Sequence, residues 1–158
     1  MKDIITSTKF DLPHGRLGNM SPYPIEYDGE TWKTSEALFQ ALRFSGDSIR
    51  EIIRNESSPM SAKMKAKKYR LQMKVSPMSG EDVENMRLCI RLKLEQSATI
   101  RFRLKATGSS TIIEDTTARP RRNNLFWGAK NENDNWNGKN MLGKVWMEYR
   151  DKLKTNKT

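Results

Sequence analysis

Glu36, Gln40 and Arg43 stand at i, i+4 and i+7, so a helix through this segment places all three on one side. A carboxylate near a helix N-terminus, set among apolar residues, can steady a cationic centre or take a proton from an attacking group. A first-turn glutamate also complements the helix dipole, and the pattern alone leaves both roles open. Lys63, following Ala62, has the setting of an ordinary surface lysine, and a functional role needs more than its spacing. Trp127, between Phe126 and Gly128, suits either a loop anchor or a platform for a stacked base, with Gly128 letting a ligand approach the backbone. The run Gly138-Lys-Asn140-Met-Leu-Gly143 reads as the N-cap of a helix or as a cradle for a phosphate.

Charge says more about the partner than about the reaction. The chain carries 29 Lys+Arg against 19 Asp+Glu, a formal net charge of +10 over 158 residues. The excess is uneven. Arg50, Arg54, Lys63, Lys65, Lys67, Lys68, Arg70 and Lys74 face only Glu51 and Glu56 in residues 50–74, and Arg119, Arg121 and Arg122 form a second group. Such clusters attract phosphates, although a solvated helix face has the same composition.

Other chemistries lack raw material. His14 and Cys89 are the only histidine and cysteine, which disfavours a His/Cys metal cage, a histidine relay or an internal disulfide. No apolar run exceeds three residues, and the opening Met1–Phe10 has no secretory apolar stretch. The expectation is a cytoplasmic protein with one hydrophobic core and no membrane contact.

The elements that must position these residues follow from local signals. Asp28-Gly29 lies between alternating segments, Ile25–Tyr27 and Glu30–Trp32, and predicts a two-residue hairpin. Thr34 predicts the N-cap of a helix running to Phe44, with Leu38, Ala41 and Leu42 on one side. Ser58-Pro59 predicts the cap and first residue of a short helix carrying Ala62, Lys63 and Ala66. Ser79 and Asp82 resemble a capping box before a helix with Val83, Met86 and Ile90 inward. Ile100 and Leu104 predict a helix ended by Thr107-Gly108, and Thr111–Glu114 a short strand. Residues 116–140 read as an ordered loop. A final helix has an apolar stripe of Leu142, Val145, Trp146, Tyr149 and Leu153, with Tyr149 and Trp146 in the core, before a frayed tail at 154–158. The sum is one helix-rich α+β domain with a small β-sheet, spanning 1–158.

In this order the pieces resemble the NADAR (YbiA-like) family. The resemblance rests on Leu17-Gly-Asn19-Met-Ser-Pro22, Pro24-Ile25, Asp28-Gly29, Trp32, Ser35-Glu36 and Phe39-Gln40-Ala41. It continues through Ser58-Pro59, Ala62-Lys63, Thr107-Gly108, Ile113-Glu114, Phe126-Trp127-Gly128 and Gly138–Gly143, covering residues 10–153. Three positions depart from the family pattern: Ala37 stands where a histidine is usual, Met78 for a tryptophan and Met20 for a phenylalanine. These changes bear on the leaving base more than on the reaction.

The resemblance implies an N-glycosidase without metal or cofactor. Family members hydrolyse phosphoribosylamino-pyrimidine intermediates of riboflavin synthesis, or remove ADP-ribose from the guanine amino group in nucleic acid as antitoxins to DNA ADP-ribosyltransferases. Carried over residue by residue, Glu36 and Lys63 are catalytic. Lys63 would attack the anomeric carbon and open the sugar to a Schiff base, unless a water activated by Glu36 does so. Asn19, Gln40, Glu114, Trp127, Gly128, Gly138 and Asn140 would bind substrate. Asn19 and Asn140 suit ribose hydroxyls, and arginines suit phosphates. The basic excess favours ADP-ribosylated DNA as substrate, with a toxin of the DNA ADP-ribosyltransferase type as functional counterpart in an antitoxin or counter-defence role. Riboflavin precursors are the alternative substrate, and a non-catalytic reader of ADP-ribose or nucleic acid is the alternative of another class.

Overall fold

Two positive-φ residues in succession make a tight turn in one half of the chain. Asp28 (φ 52°) and Gly29 (φ 78°) form the tight turn between β2 (Ile25–Tyr27) and β3 (Glu30–Trp32). These strands pair antiparallel and bring the buried Ile25 and Trp32 opposite each other. The computed structural model describes residues 4–6 and 17–155. His14 and the end of the tail, 156–158, lie outside them. The described residues group into two compact units, Asn19–Ser97 and the remainder, 4–6 with 17–18 and 98–155.

In the first unit α1 (Ser35–Ala41) packs against α2 (Asp47–Arg54), α3 (Pro59–Lys68), α4 (Gly80–Gln96) and β3. Thr34 caps it, its hydroxyl accepting from the Ala37 N–H at 3.1 Å. The helix stops three residues short of Phe44. The Arg43 and Phe44 N–H groups reach back only three residues, to the Gln40 (3.3 Å) and Ala41 (3.0 Å) carbonyls, and the Arg43 carbonyl accepts from the N–H groups of Lys74 (2.8 Å) and Val75 (3.2 Å). All seven residues of α1 are buried, its polar side included.

The other two caps of this unit fall where the sequence puts them. Ser58 and Ser61 cap α3 reciprocally, and the Ser79 hydroxyl accepts from the Asp82 N–H at the start of α4. Asp82 does not complete a capping box, however. Its carboxylate turns to Arg43 and to the Met78 N–H. A short 3₁₀ turn, Arg70–Gln72, follows α3.

In the second unit β1 (Ile4–Thr6) pairs in parallel with β4 (Thr111–Ile113), and α7 (Met141–Thr155) packs over β4, α5 (Ala98–Ala106) and α6 (Arg122–Trp127). Gly108, at φ 61°, ends α5 as expected. The segment 116–140 is not a loop throughout. It contains α6 and a hairpin of β5 (Lys130–Glu132) and β6 (Asn135–Asn137), turned by Asn133 (φ 52°) and Asp134 (φ 64°). Asn and Asp tolerate the left-handed region better than other residues with a Cβ, and this pair forms the turn without glycine.

Leu142, Val145 and Trp146 are buried on α7, whereas Tyr149 and Leu153 are only half-buried. Tyr149 is thus not a core residue. The buried neighbour is Arg150, whose Nη1 donates to Thr107 Oγ1 (3.0 Å) and the Ser110 carbonyl (2.7 Å). Lys154 and Thr155 continue the helix instead of fraying. Seven α-helices and three two-stranded sheets among the described residues make the fold helix-rich α+β, with the strands dispersed in pairs.

Candidate active site

The buried polar side of α1 organises a continuous hydrogen-bond chain. Glu36 accepts from Asn19 Nδ2 at Oε2 (2.5 Å) and from Gln40 Nε2 at Oε1 (2.7 Å). Helical i, i+4 spacing brings Gln40 to Glu36, while Asn19 is held by its own carbonyl, which accepts from the Glu36 N–H (3.0 Å) and the Ser35 hydroxyl (2.9 Å). Gln40 Oε1 in turn accepts from Arg43 Nη1 (3.1 Å). An amide whose oxygen faces a guanidinium must present its NH₂ at the other end, and this sets which end Glu36 receives. Arg43 is anchored by a bidentate pair with Asp82 and lies 4.7 Å over the Phe39 ring.

Asn19, Glu36 and Gln40 are therefore brought together, each buried, as one constellation. Lys63 is half-buried on α3, the helix packed on α1. Arg43 and Asp82 complete the constellation and were missed as site residues. The i+7 spacing contained the signal for Arg43. The signal for Asp82 was obscured because Ser79 and Asp82 fit a cap equally well.

Cys89, fully buried on α4, is not a competing nucleophile. Burial pushes its thiol far up, the Glu36 and Asp82 carboxylates push it further, and only Lys93 opposes them. Among the described residues no group of three His, Cys, Asp or Glu could hold a metal ion. No helix there is long and apolar enough to cross a membrane.

The remaining candidate residues cluster within the second unit. Asn140 (φ 51°) clasps β4 and the residue after it, its Oδ1 accepting from the Glu114 N–H (3.0 Å) and its Nδ2 donating to the Ile112 carbonyl (2.8 Å). The Gly128 carbonyl accepts from the Asn140 N–H (3.0 Å), and the Ala129 N–H donates to the Glu114 carbonyl (2.9 Å). A Cβ on Gly128 would lie 2.3 Å from the Glu114 oxygen, and one on Gly138 would lie 2.4 Å from the Gly128 oxygen. These glycines admit other backbone. Trp127, half-buried at the end of α6, meets Phe126 edge-on with centroids 4.9 Å apart.

A family model described as the NADAR domain matches residues 8–154. The chain belongs to the NADAR family. This NADAR protein is 38% identical over 146 residues to the N-glycosidase YbiA of Shigella sonnei and to that of Escherichia coli, covering 91% of this chain and 84% of each relative. A riboflavin biosynthesis protein of Vibrio vulnificus is 28% identical over 148 residues, covering 90% of this chain and 36% of that one. The NMR structure of E. coli YbiA superposes with a TM-score of 0.80 at 32% identity, covering 100% of this chain and 90% of that one. The helix-rich fold expected for a NADAR protein is the fold observed.

Proposed function

We propose that this NADAR protein is an N-glycosidase that removes ADP-ribose from the guanine amino group of ADP-ribosylated DNA. The observation that carries the reading is the Glu36 carboxylate, buried in a family related to N-glycosidases and held by donors at both oxygens. Breaking a ribosyl C–N bond leaves positive charge on the sugar and negative charge on the departing base. A carboxylate held without rotational freedom stabilises the first or deprotonates the attacking group.

Lys63 supplies the second catalytic group. Its amine bonds to the anomeric carbon as the bond from that carbon to the base breaks, and the proton shed by the amine goes to the departing base nitrogen. The ring then opens to a Schiff base, which water hydrolyses to release the sugar. In this reading Asn19 meets a ribose hydroxyl and Trp127 stacks on a base. Glu114, Gly128, Gly138 and Asn140 shape the segment from which Trp127 projects. The substrate is a polyanion in this reading because Lys67, Lys68, Arg70 and Lys74 are exposed and pair with no carboxylate among the described residues, as are Arg119, Arg121 and Arg122. The protein would then work in the cytoplasm, with a DNA ADP-ribosyltransferase making its substrate.

The Vibrio relative supports a second reading, in which the same carboxylate and amine act on a phosphoribosylamino-pyrimidine of riboflavin synthesis. One experiment tests both. Purified protein is incubated with guanine-ADP-ribosylated DNA and with phosphoribosylamino-pyrimidine, and products are identified by mass spectrometry. Release of ADP-ribose and restored guanine supports the first reading. Release of ribose 5-phosphate alone replaces it with the second. Binding of ADP-ribose with no turnover of either substrate leaves a non-catalytic reader.

A further inference from the structure

We propose that Gln40 and Arg43, anchored by Asp82, are positioning residues that aim the Glu36 carboxylate, and that Gln40 does not itself touch substrate. The inference rests on the catalytic reading of Glu36 and adds the means by which that carboxylate is held. Gln40 is 3% exposed and both ends of its amide are committed, Nε2 to Glu36 and Oε1 to Arg43. One N–H and one lone pair of the amide are left over, but they sit on a buried side chain that gives a ribose little access. Arg43 is equally committed. Nε and Nη2 donate to Asp82, Nη1 donates to Gln40, and the guanidinium lies over Phe39.

The order of these contacts has a direction. Asp82 is fixed to the start of α4 by its own N–H, which donates to Ser79 Oγ, and by accepting from the Met78 N–H at 2.8 Å. Its two oxygens fix the plane of the Arg43 guanidinium, as a bidentate pair does and a point charge cannot. The remaining Arg43 donor selects the Gln40 oxygen, and the amide then turns its NH₂ onto Glu36 Oε1. Asn19 holds the second carboxylate oxygen independently. Glu36 thus has one clamp from its own neighbourhood and another transmitted from α4, 39 residues beyond Arg43. Without the second clamp the carboxylate can rotate about its terminal bond while remaining buried, and misplacement by about 1 Å can cost about 100-fold in rate.

A double-mutant cycle on the turned-over substrate tests the relay, using Glu36→Gln, Gln40→Met and the double variant, each shown by circular dichroism to be folded. Gln40→Met keeps the volume and removes the amide. The expected result is a fall in kcat of about 10–100-fold with KM within about threefold of wild type. In the Glu36→Gln background the same substitution should then change kcat less than about threefold, because there is no carboxylate left to aim. A raised KM with kcat unchanged would make Gln40 a substrate contact and overturn the relay. Full additivity of the two substitutions, or wild-type kinetics for Gln40→Met, would overturn it as well. If Glu36→Gln alone retains wild-type kcat, the catalytic reading of Glu36 fails, and the relay falls with it. Should Gln40→Met not fold, Gln40→Glu carries the same cycle, since it keeps the acceptor for Arg43 and turns a carboxylate oxygen instead of a donor toward Glu36.

Discussion

Arg43 and Asp82 meet in a bidentate pair, Nε to Oδ1 at 2.9 Å and Nη2 to Oδ2 at 2.8 Å, with both side chains buried. Taking two charges out of water is costly, and the pair survives because every contact is a charge-assisted hydrogen bond and both partners have further bonds. Removing one partner leaves the other charged and buried. Asp82→Ala should therefore lower stability by about 3–5 kcal/mol, read from the midpoint of denaturant unfolding. A loss below about 1 kcal/mol would mean that water reaches Arg43.

The proposed catalytic route through Lys63 has a chemical signature. If the amine forms a Schiff base with the opened sugar, borohydride added during turnover should reduce it and leave a stable adduct on the protein, seen as a mass increase. Lys63→Ala should abolish both the adduct and turnover. Glu36→Gln keeps the shape and removes the charge, and should lower activity by about 10²–10⁴-fold. Normal turnover by Lys63→Ala with no adduct on wild type would move the reaction to a Glu36-activated water.

Two tryptophans should respond in opposite ways. Trp146 is 1% exposed beside Leu142 and Val145 on α7, and its truncation to alanine should cost about 3–5 kcal/mol of stability with a large fall in Tm. Trp127 is half-buried. Its truncation should weaken binding of ADP-ribosylated DNA by about 1–3 kcal/mol, measured by titration, while the protein stays folded. An unfolded Trp127→Ala variant would make Trp127 a structural anchor.

Gly143 sets helix propensity against backbone packing. Alanine is the better helix former by about 1 kcal/mol. A Cβ at this position in α7, however, would lie 2.2 Å from the Ile112 carbonyl oxygen and about as close to the Asn140 amide that clasps β4. The collision is with backbone and a committed side chain, neither of which can swing away. Gly143→Ala should accordingly destabilise by about 1–3 kcal/mol in thermal or denaturant unfolding despite its propensity gain. A stabilised variant would show that α7 slides freely on β4.

Short-range chemistry was legible in the sequence because its partners lie within a few residues of one another. The caps at Thr34, Ser58 and Ser79 each rest on a side chain meeting backbone within about four positions, and the turn at Asp28-Gly29 and the stop at Gly108 rest on local positive φ. The pairing of Gln40 with Glu36 was also legible, since helical i, i+4 spacing sets one against the other. The polar β5–β6 hairpin was not, because among its six strand residues only Trp136 is apolar and no alternation marks it. Nor was the half-burial of Tyr149 or the burial of Arg150, whose partners Thr107 and Ser110 lie about 40 residues away. The largest decision left to tertiary structure was the fate of the polar side of α1. Amphipathic spacing normally assigns Glu36, Gln40 and Arg43 to solvent. Packing against α2, α3 and α4 buries them instead, and burial is tolerable only because Asp82, remote in the chain, supplies the charge that neutralises Arg43 and so completes the chain of bonds to Glu36.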